Sequence, residues 1–198
     1  FLIEKKDKHK KTQFYDLSQF SFSDKVFVEG FFESEKYFIN YKKDILKQFT
    51  IKKINTKYLF IDPRQVLNHN SVSLVIRKNR FSEKISNSLS NEKSRLFEKR
   101  TIDYVFKSIE FLSSKISNPR FFIFSNDPTG LFDIFSNLKN CTVVLHQNNK
   151  AINDFYLSTL CKHFIVGPST FHWWSAYAST NKEKICIRPP SDLNFSSN

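Results

Sequence analysis

Short apolar runs alternate with segments of helical spacing from about Val72 onward, and this alternation is the strongest restriction on the fold. Five runs are typical of buried strands: residues 72–76, 121–124, 142–145, 163–166 and 184–187. The spacing predicts helices between them: residues 102–116, 131–138, 152–160 and 171–178. Strands and helices in this order form parallel pairs, so the sequence predicts an α/β domain built on a parallel sheet.

Two details of the helical segments are also predicted. In the helix over residues 152–160, one face is expected to carry Ile152, Phe155, Tyr156 and Leu160. Residues 86–93 are polar and rich in Ser and Asn, which predicts a surface loop before the first long helix.

Residues before the alternating region follow a different pattern. Val26–Val28 predicts a short strand, and Ser34 is a suitable helix N-cap. Apolar side chains then recur every four residues and predict an amphipathic helix: Tyr37, Tyr41, Ile45 and Phe49. We therefore predict two parts, residues 1–68 as the incomplete tail of another domain and residues 69–198 as the sheet domain. Because the chain begins with Phe1 and contains no Met, we expect a fragment that lacks an N-terminal portion.

The chain is strongly basic, with a formal net charge of +12 and Lys-rich segments over residues 4–11 and 42–57. Such charge either forms a solvated face or attracts nucleic acid, an anionic membrane or a phosphorylated substrate. The aromatic side chains are not interleaved with Arg in an RNA-binding pattern, and no recognition motif is present. We therefore expect no nucleic-acid partner, while peripheral association with an anionic membrane stays open.

Cysteine and histidine usage favours a reducing compartment and argues against a metal site. The cysteines are odd in number and lack CxxC spacing, so Cys141, Cys161 and Cys186 are expected to be free thiols. The five His residues also lack the spacing of metal ligands. No apolar run reaches the roughly 18 residues that a membrane helix needs. The expected location is the cytoplasm, with the membrane surface as an alternative.

The segment from Gly167 to Trp174 predicts a tight turn followed by a helix start. Ser169 or Thr170 would lie where the first free N–H groups of the helix point, and such a position favours anions. The alternative is an ordinary N-cap that binds nothing. Trp173 and Trp174 are assigned to packing beneath this position.

Polar clusters follow three of the predicted strands, at residues 77–80, 125–127 and 167–170. The carboxyl ends of parallel strands meet at one edge of a sheet, and ligands of open parallel sheets bind there. The three clusters are therefore expected to converge on one binding site.

Each cluster offers a group suited to a nucleotide. Arg77 can hold a diphosphate in a bidentate manner, and Ser169 and Thr170 can hold phosphate oxygens. Asn126 or Asp127 can accept hydrogen bonds from a base or ribose. The alternatives are a surface ion pair for Arg77 and a turn role for Asp127.

Four segments of the chain carry a family resemblance. Residues 154–174 are similar to the motif D-x-x-L-M-x-x-C-x-H-x-I-x-x-N-S-T-F-S-W-W, and residues 122–127 to the strand end F-S-D-D. Residues 30–38 are similar to G-Y-F-Q-S-E-K-Y-F, and residues 72–81 occupy the place of H-x-R-R-G-D-Y. These motifs belong to the bacterial α-1,2-fucosyltransferases, glycosyltransferase family 11, which the chain resembles over nearly its whole length.

Within these segments the chain departs from the family pattern at several positions, and four of the departures bear on the site. Val75 stands where the motif has His, Lys78 replaces the second Arg, and Arg80 stands at the Asp position. Pro168 replaces the Asn before Ser-Thr. Arg77 keeps the first Arg, so its role carries over, whereas the roles of the family's His and Asp do not. The family's N-terminal segment G-x-L-G-N-Q is absent.

The resemblance implies an inverting, GT-B-like glycosyltransferase of two domains, with a Rossmann-like domain over residues 69–198 that binds GDP-sugar. It implies transfer of L-fucose from GDP-fucose to the 2-hydroxyl of a galactose-containing glycan acceptor in surface-glycan or O-antigen synthesis, without a metal or other cofactor. The implied donor-binding residues are Arg77, Lys78, Asn126, Asp127, His163, Ser169, Thr170 and Phe171. Glu83 is the carboxylate nearest to the Arg77 loop and is the candidate base, with an exposed loop residue as the alternative.

Other functions stay open beside this one. A non-catalytic relative, or a transferase for a different donor, is compatible with the altered motif around Arg77. A basic nucleic-acid-binding α/β module is a third possibility. We also expect the chain as given to be catalytically inactive, because catalysis depends on holding donor and acceptor together in a cleft between two domains.

Overall fold

The computed structural model describes residues 2–3, 21, 27–29, 34–51, 54–145, 151–190 and 193. The chain divides into two compact units, residues 1–50 with 195–198, and residues 51–194. The second unit begins earlier than the predicted boundary after residue 68. The reason is hydrophobic packing, because Leu59, Ile61 and Val66 are buried in the same core as the sheet residues Val75 and Phe164.

The described residues of the first unit form a short parallel pair of strands and three short helical segments. Strands β1 (Leu2–Ile3) and β2 (Val28–Glu29) pair in parallel. Ser34 caps a 3-10 helix over Glu35–Tyr37, as predicted, and its hydroxyl accepts a hydrogen bond from the Lys36 N–H. Val26 and the segment of residues 30–33 lie outside the described residues.

The predicted amphipathic helix of the first unit is divided into pieces. A second 3-10 helix spans Ile39–Tyr41, and helix α1 spans Lys42–Gln48. Phe38 separates the two 3-10 helices because its φ of −140° is not helical. The spacing of four residues is kept, but a single continuous helix is not formed.

The second unit is built on a parallel sheet of five strands in the order β5-β4-β3-β6-β7. The strands are β3 (Asn70–Ile76), β4 (Pro119–Ser125), β5 (Cys141–Val143), β6 (His163–Ile165) and β7 (Cys186–Ile187). All four pairings in this sheet are parallel. The predicted α/β class and Rossmann-like parallel sheet are therefore confirmed, with each predicted strand present at a slightly different length.

Helices flank this sheet in alternation with the strands. They are α2 (Pro63–Leu67), α3 (Ser88–Lys115), α4 (Leu131–Phe135), α5 (Ala151–Thr159) and α6 (Thr170–Ala178). Within the described part of the chain, no helix is both long enough and apolar enough to cross a membrane.

The order of the strands reverses beside β3. From β3 the chain moves outward to β4 and β5, and then returns so that β6 pairs with the other side of β3. This reversal places a crevice beyond the carboxyl ends of β3 and β6, which is where ligands of open parallel sheets bind. The sheet topology thus selects the edge on which a site is expected.

Alternate side chains of β3 enter two different cores. Val72, Leu74 and Ile76 pack with the α3 residues Val105 and Leu112 on one face of the sheet. On the other face, Val75 packs with a cluster of aromatic and aliphatic side chains: Phe122, Phe124, Phe164, Leu157 and Val166. Burial on both faces explains why the strand sequences are apolar runs rather than alternating ones.

Helix α3 begins much earlier than the sequence predicted. Residues 88–93, expected in a surface loop, form its first turns, and Asn87 and Ser90 form a reciprocal capping box. The polar residues that suggested a loop are therefore the cap and the exposed face of a helix start.

Candidate functional site

A cavity of about 390 Å³ opens at the carboxyl edge of the sheet in the second unit. It is lined by residues of β3, β4, α5 and α6 and of the segments that follow or precede them: Val75, Arg77, Phe124, Ser125, Asn126, Ala151, Asp154, Ser169 and Phe171. Four of the predicted donor-binding residues are in this set. The predicted convergence of three strand ends is thus observed as one shared cavity.

Arg77 directly follows β3 and contributes a guanidinium to the cavity. Its Nη2 donates to Glu83 Oε1 and Oε2 at 2.9 and 2.6 Å, and the two side chains are 40% and 37% exposed. Its Nε is buried and has no hydrogen-bond partner among the described residues. An ion pair of this exposure contributes at most about 1 kcal/mol. The buried Nε–H is a donor that a bound anion can satisfy.

Glu83, the candidate base, is engaged by Arg77 and does not line the cavity. Both of its oxygens already accept hydrogen bonds from the guanidinium. Deprotonating an acceptor hydroxyl requires the carboxylate to reach it directly. Glu83 therefore has to leave Arg77 before it can act as a base, and its catalytic role stays a prediction.

Lys78 does not reach the cavity. Its Nζ donates to the Thr129 carbonyl at 2.7 Å and lies 3.7 Å from Asp127 and 3.8 Å from Glu98. Successive residues of an extended chain point to opposite sides, so Arg77 and Lys78 face different surroundings. The side chain of Lys78 ties the end of β3 to the turn after β4.

Asn126 and Asp127 also differ in whether they line the cavity. Asn126 lines the cavity, and its amide is held by the Lys78 backbone, accepting from the Lys78 N–H at 2.9 Å and donating to the Lys78 carbonyl at 3.1 Å. Asp127 accepts a hydrogen bond from the Thr129 N–H. Hydrogen bonds from Thr129, together with the charge of Lys78, lower the pKa of the Asp127 carboxyl. The structure therefore places Asp127 in a turn, outside the cavity lining.

Ser169 is the N-cap of α6 and lies at the cavity. It is buried, and its hydroxyl makes no capping hydrogen bond to the helix. Thr170 is the exposed first residue of the helix and is not part of the cavity lining, whereas Phe171 lines it and packs edge-to-face on Phe155 at 5.6 Å. The first N–H groups of a helix have no acceptor within it, so this helix start can receive an anion.

His163 lies far from the cavity because it begins β6 rather than ending it. It pairs in register with Val72, near the amino end of β3, while the cavity is formed by Val75 and Arg77. Its Nδ1 accepts a hydrogen bond from the Ile185 N–H at 3.1 Å. Burial, with the charge of Lys162, lowers its pKa. The structure therefore places His163 at the start of an interior strand, where it binds the backbone just before β7.

Asp154 is the main cavity residue to which the sequence gave no role. It is 8% exposed and lies in α5, where Asn153, Phe155 and Leu157 are also buried. The predicted face of this helix is buried only in part, because Ile152 is 51% exposed. The signal that could have found it is the Asp at the first position of the family segment quoted for residues 154–174.

The turn before α6 is fixed by its backbone groups. The Gly167 N–H donates to His172 Nδ1 at 2.9 Å, and the Pro168 carbonyl accepts from Arg80 Nη1 at 2.8 Å. A Cβ at Gly167 would lie 2.6 Å from the Val75 carbonyl oxygen, so no larger residue fits here without displacing β3. Gly167 therefore reflects a close approach of two backbones.

His172 is fully buried and bonded at both ring nitrogens. Because Nδ1 accepts from Gly167, the ring proton is on Nε2, which donates to Ser73 Oγ at 3.0 Å. Ser73 and Ser158 share a further hydrogen bond of 2.7 Å. Burial lowers the pKa of His172 to about 3.

The described residues contain no group of three or more His, Cys, Asp or Glu side chains that could together hold a metal ion. The groups that face the cavity are instead a guanidinium, a serine hydroxyl at a helix start, an amide and a carboxylate. Such groups bind phosphate oxygens and the edges of a base or sugar.

A doubly wound parallel sheet with these groups at its switch point defines an α/β protein with a Rossmann-like fold. The family model for glycosyl transferase family 11 matches residues 2–197, and the chain belongs to that family. The resemblance seen in four sequence segments is thereby confirmed at the level of the family.

Two curated relatives are similar to this chain. An alpha-1,2-colitosyltransferase of Escherichia coli is 27% identical over 168 residues, which cover 81% of this chain and 53% of that protein. The O-antigen biosynthesis glycosyltransferase WbnK of Escherichia coli is 29% identical over 89 residues, which cover 44% of this chain and 30% of that protein. The chain spans about half the length of the first relative and less than a third of the second. No solved structure matches the chain significantly.

Proposed function

We propose that the protein transfers L-fucose from GDP-fucose to the 2-hydroxyl of a galactoside, with inversion and without a metal or other cofactor. Membership of glycosyl transferase family 11 supports sugar transfer. The relative named as an alpha-1,2 transferase supports the 2-hydroxyl as the accepting position. The observation that carries the proposal is the cavity that Arg77 and Ser169 line together.

In this proposal Arg77 and the start of α6 hold the diphosphate. The buried Nε–H of Arg77 and the hydroxyl of Ser169 are two donors at the same cavity. The dipole of α6 adds a favourable potential for an anion at its N-terminus. Breaking the sugar–phosphate bond leaves negative charge on GDP, and fixed donors and cations stabilise that charge without having to reorganise.

Asp154 supports a guanine nucleotide as the donor. Guanine presents two adjacent donors, N1–H and the N2 amino group, and one carboxylate can accept hydrogen bonds from both. Uracil presents a single N–H between two carbonyl oxygens, which repel a carboxylate. A buried acidic residue in the cavity therefore favours GDP over UDP.

A second donor deserves the same assay, because one relative is named for transfer of a colitosyl group. Colitose differs from L-fucose only in lacking the 3-hydroxyl. The residues around Arg77 differ from the fucosyltransferase pattern at Val75, Lys78 and Arg80. Transfer of a deoxy sugar other than fucose is therefore the alternative function.

The test is a transfer assay on the full-length gene product with lactose as acceptor and GDP-fucose or GDP-colitose as donor. Arg77→Ala is expected to weaken GDP binding by about 1.5–3 kcal/mol, the range for a hydrogen bond to a charged group, as measured by calorimetry. Arg95→Ala is the matched control, because Arg95 is an exposed arginine of α3 outside the cavity lining.

Three results would change the proposal. Transfer from GDP-colitose but not from GDP-fucose would favour the alternative donor. GDP binding without transfer from either donor would favour a non-catalytic relative. Equal GDP affinity in the Arg77→Ala variant and the parent protein would show that Arg77 does not hold the diphosphate.

A further inference from the structure

The turn over residues 167–169 carries Ser169 into the cavity, yet it is held in place by side chains that do not line the cavity. On one side, the Gly167 N–H is bonded to buried His172 at 2.9 Å. On the other side, the Pro168 carbonyl accepts from Arg80 at 2.8 Å. The Gly167 N–H and the Pro168 carbonyl are therefore each fixed by a side chain from a different part of the chain.

Each of these side chains is itself held by other elements. His172 Nε2 is bonded to Ser73 of β3, and Ser73 is bonded to Ser158 of α5. The guanidinium of Arg80 lies over the Phe97 ring of α3, 5.0 Å from its centroid. The turn is thus connected to β3 and α5 on one side and to α3 on the other.

We propose that His172 and Arg80 are positioning residues, which fix the turn over residues 167–169 and thereby hold the Ser169 hydroxyl at the cavity. This inference rests on the proposed function, since the ligand held there is the diphosphate of GDP. Neither residue lines the cavity. Both act through Ser169, whose hydroxyl is left without a capping role in its own helix.

The residues that hold the turn coincide with positions at which the chain departs from the family pattern. Arg80 and Pro168 are two of the positions at which this chain differs from that pattern, and they meet in one hydrogen bond. His172 stands where the quoted family segment has Ser. The residues that hold the turn therefore differ together from the quoted pattern.

The experiment is a double-mutant cycle with GDP affinity as the readout, in the full-length gene product. His172→Leu removes both ring hydrogen bonds, and we expect about 10-fold weaker GDP binding. In the Ser169→Ala background the same change is expected to weaken binding two-fold or less, because the side chain through which His172 acts is gone. His172→Asn retains an acceptor at the Nδ1 position and is expected to recover most of the affinity.

Controls separate positioning from general destabilisation. Leu112→Ala removes a buried side chain in the core on the other face of the sheet, and it is expected to lower stability without changing GDP affinity. Arg80→Met, which keeps an apolar stem over Phe97 but cannot donate to Pro168, is expected to weaken GDP binding several-fold. Equal loss of affinity from His172→Leu in both backgrounds would overturn the inference.

A second readout does not need GDP. Hydrogen exchange at the Gly167 amide is expected to accelerate by at least 10-fold in His172→Leu and less in His172→Asn. If the parent protein binds no GDP, the proposed function fails, and this exchange measurement alone decides the positioning role. Unchanged exchange at Gly167 in His172→Leu would refute it.

Discussion

The burial of His172 predicts a specific loss of stability in mild acid. Burial lowers the pKa of His172 to about 3 in the folded protein, while the unfolded chain has the ordinary value near 6.5. Between these two values the unfolded state binds a proton that the folded state excludes. The stability contribution of neutral His172 is therefore complete above about pH 6.5 and is lost as the pH falls toward 3.

The size of the effect follows from the two pKa values. When the unfolded state binds one proton more than the folded state, the free energy of unfolding falls by about 1.4 kcal/mol for each unit by which the pH is lowered. Between pH 7 and pH 5, a histidine that titrates near 6.5 only when unfolded lowers that free energy by about 2 kcal/mol. His163, whose pKa is also lowered, contributes in the same direction.

The contribution of His172 can be isolated by comparing two proteins. His172→Asn keeps a hydrogen-bond acceptor for the Gly167 N–H but cannot titrate in this range. Urea unfolding of the full-length product at pH 7, 6 and 5 should show that the parent protein loses about 2 kcal/mol more than the variant. If both lose the same amount, His172 is not held neutral in the fold and the reasoning is refuted.

Three further outcomes are expected in the same protein. Glu83→Gln should retain or improve GDP affinity, measured by calorimetry, because Glu83 competes with phosphate for Arg77. If Glu83 is the base, the same change should lower turnover by at least about 100-fold, and unchanged turnover would contradict that role. Asp154→Asn should weaken GDP binding by about 10-fold or more and strengthen UDP binding, because the carboxylate no longer repels the uracil carbonyls, and an equal loss for both nucleotides would argue against base recognition. Gly167→Ala should lower the free energy of unfolding by about 1–3 kcal/mol in urea titrations, since its Cβ would meet the Val75 carbonyl; full stability would show that β3 can move aside.

The parallel sheet could be predicted because its strands are buried on both faces and therefore appear as apolar runs. The β3 and β4 strands are clear examples, with Val72–Ile76 and Phe121–Phe124 almost wholly buried. The start of α3 could not be predicted in the same way, because its capping residues have the composition of a loop. Asn87 and Ser90 stabilise the helix start through local hydrogen bonds that composition alone does not show.

The site was predictable as an edge of the sheet but not as a set of side chains. The sequence places Arg77 and Lys78 at one strand end, yet only Arg77 lines the cavity, because neighbouring residues point in opposite directions. His163 was assigned from the resemblance alone, and the register of β6 puts it at the amino end of the sheet. Asp154 was missed because the direction in which a helix faces depends on packing partners that are distant in sequence.

The strand order also determines when the cavity can exist during folding. Strands β3, β4 and β5 follow one another along the chain, whereas Ser73 of β3 and its partner His172 are 99 residues apart. Contacts between distant segments have a larger entropic cost of loop closure and form slowly. The half of the sheet formed by β3, β4 and β5 can therefore assemble before β6 and α6 return to close the cavity. In a refolding experiment, recovery of nucleotide binding should then be slower than recovery of secondary structure.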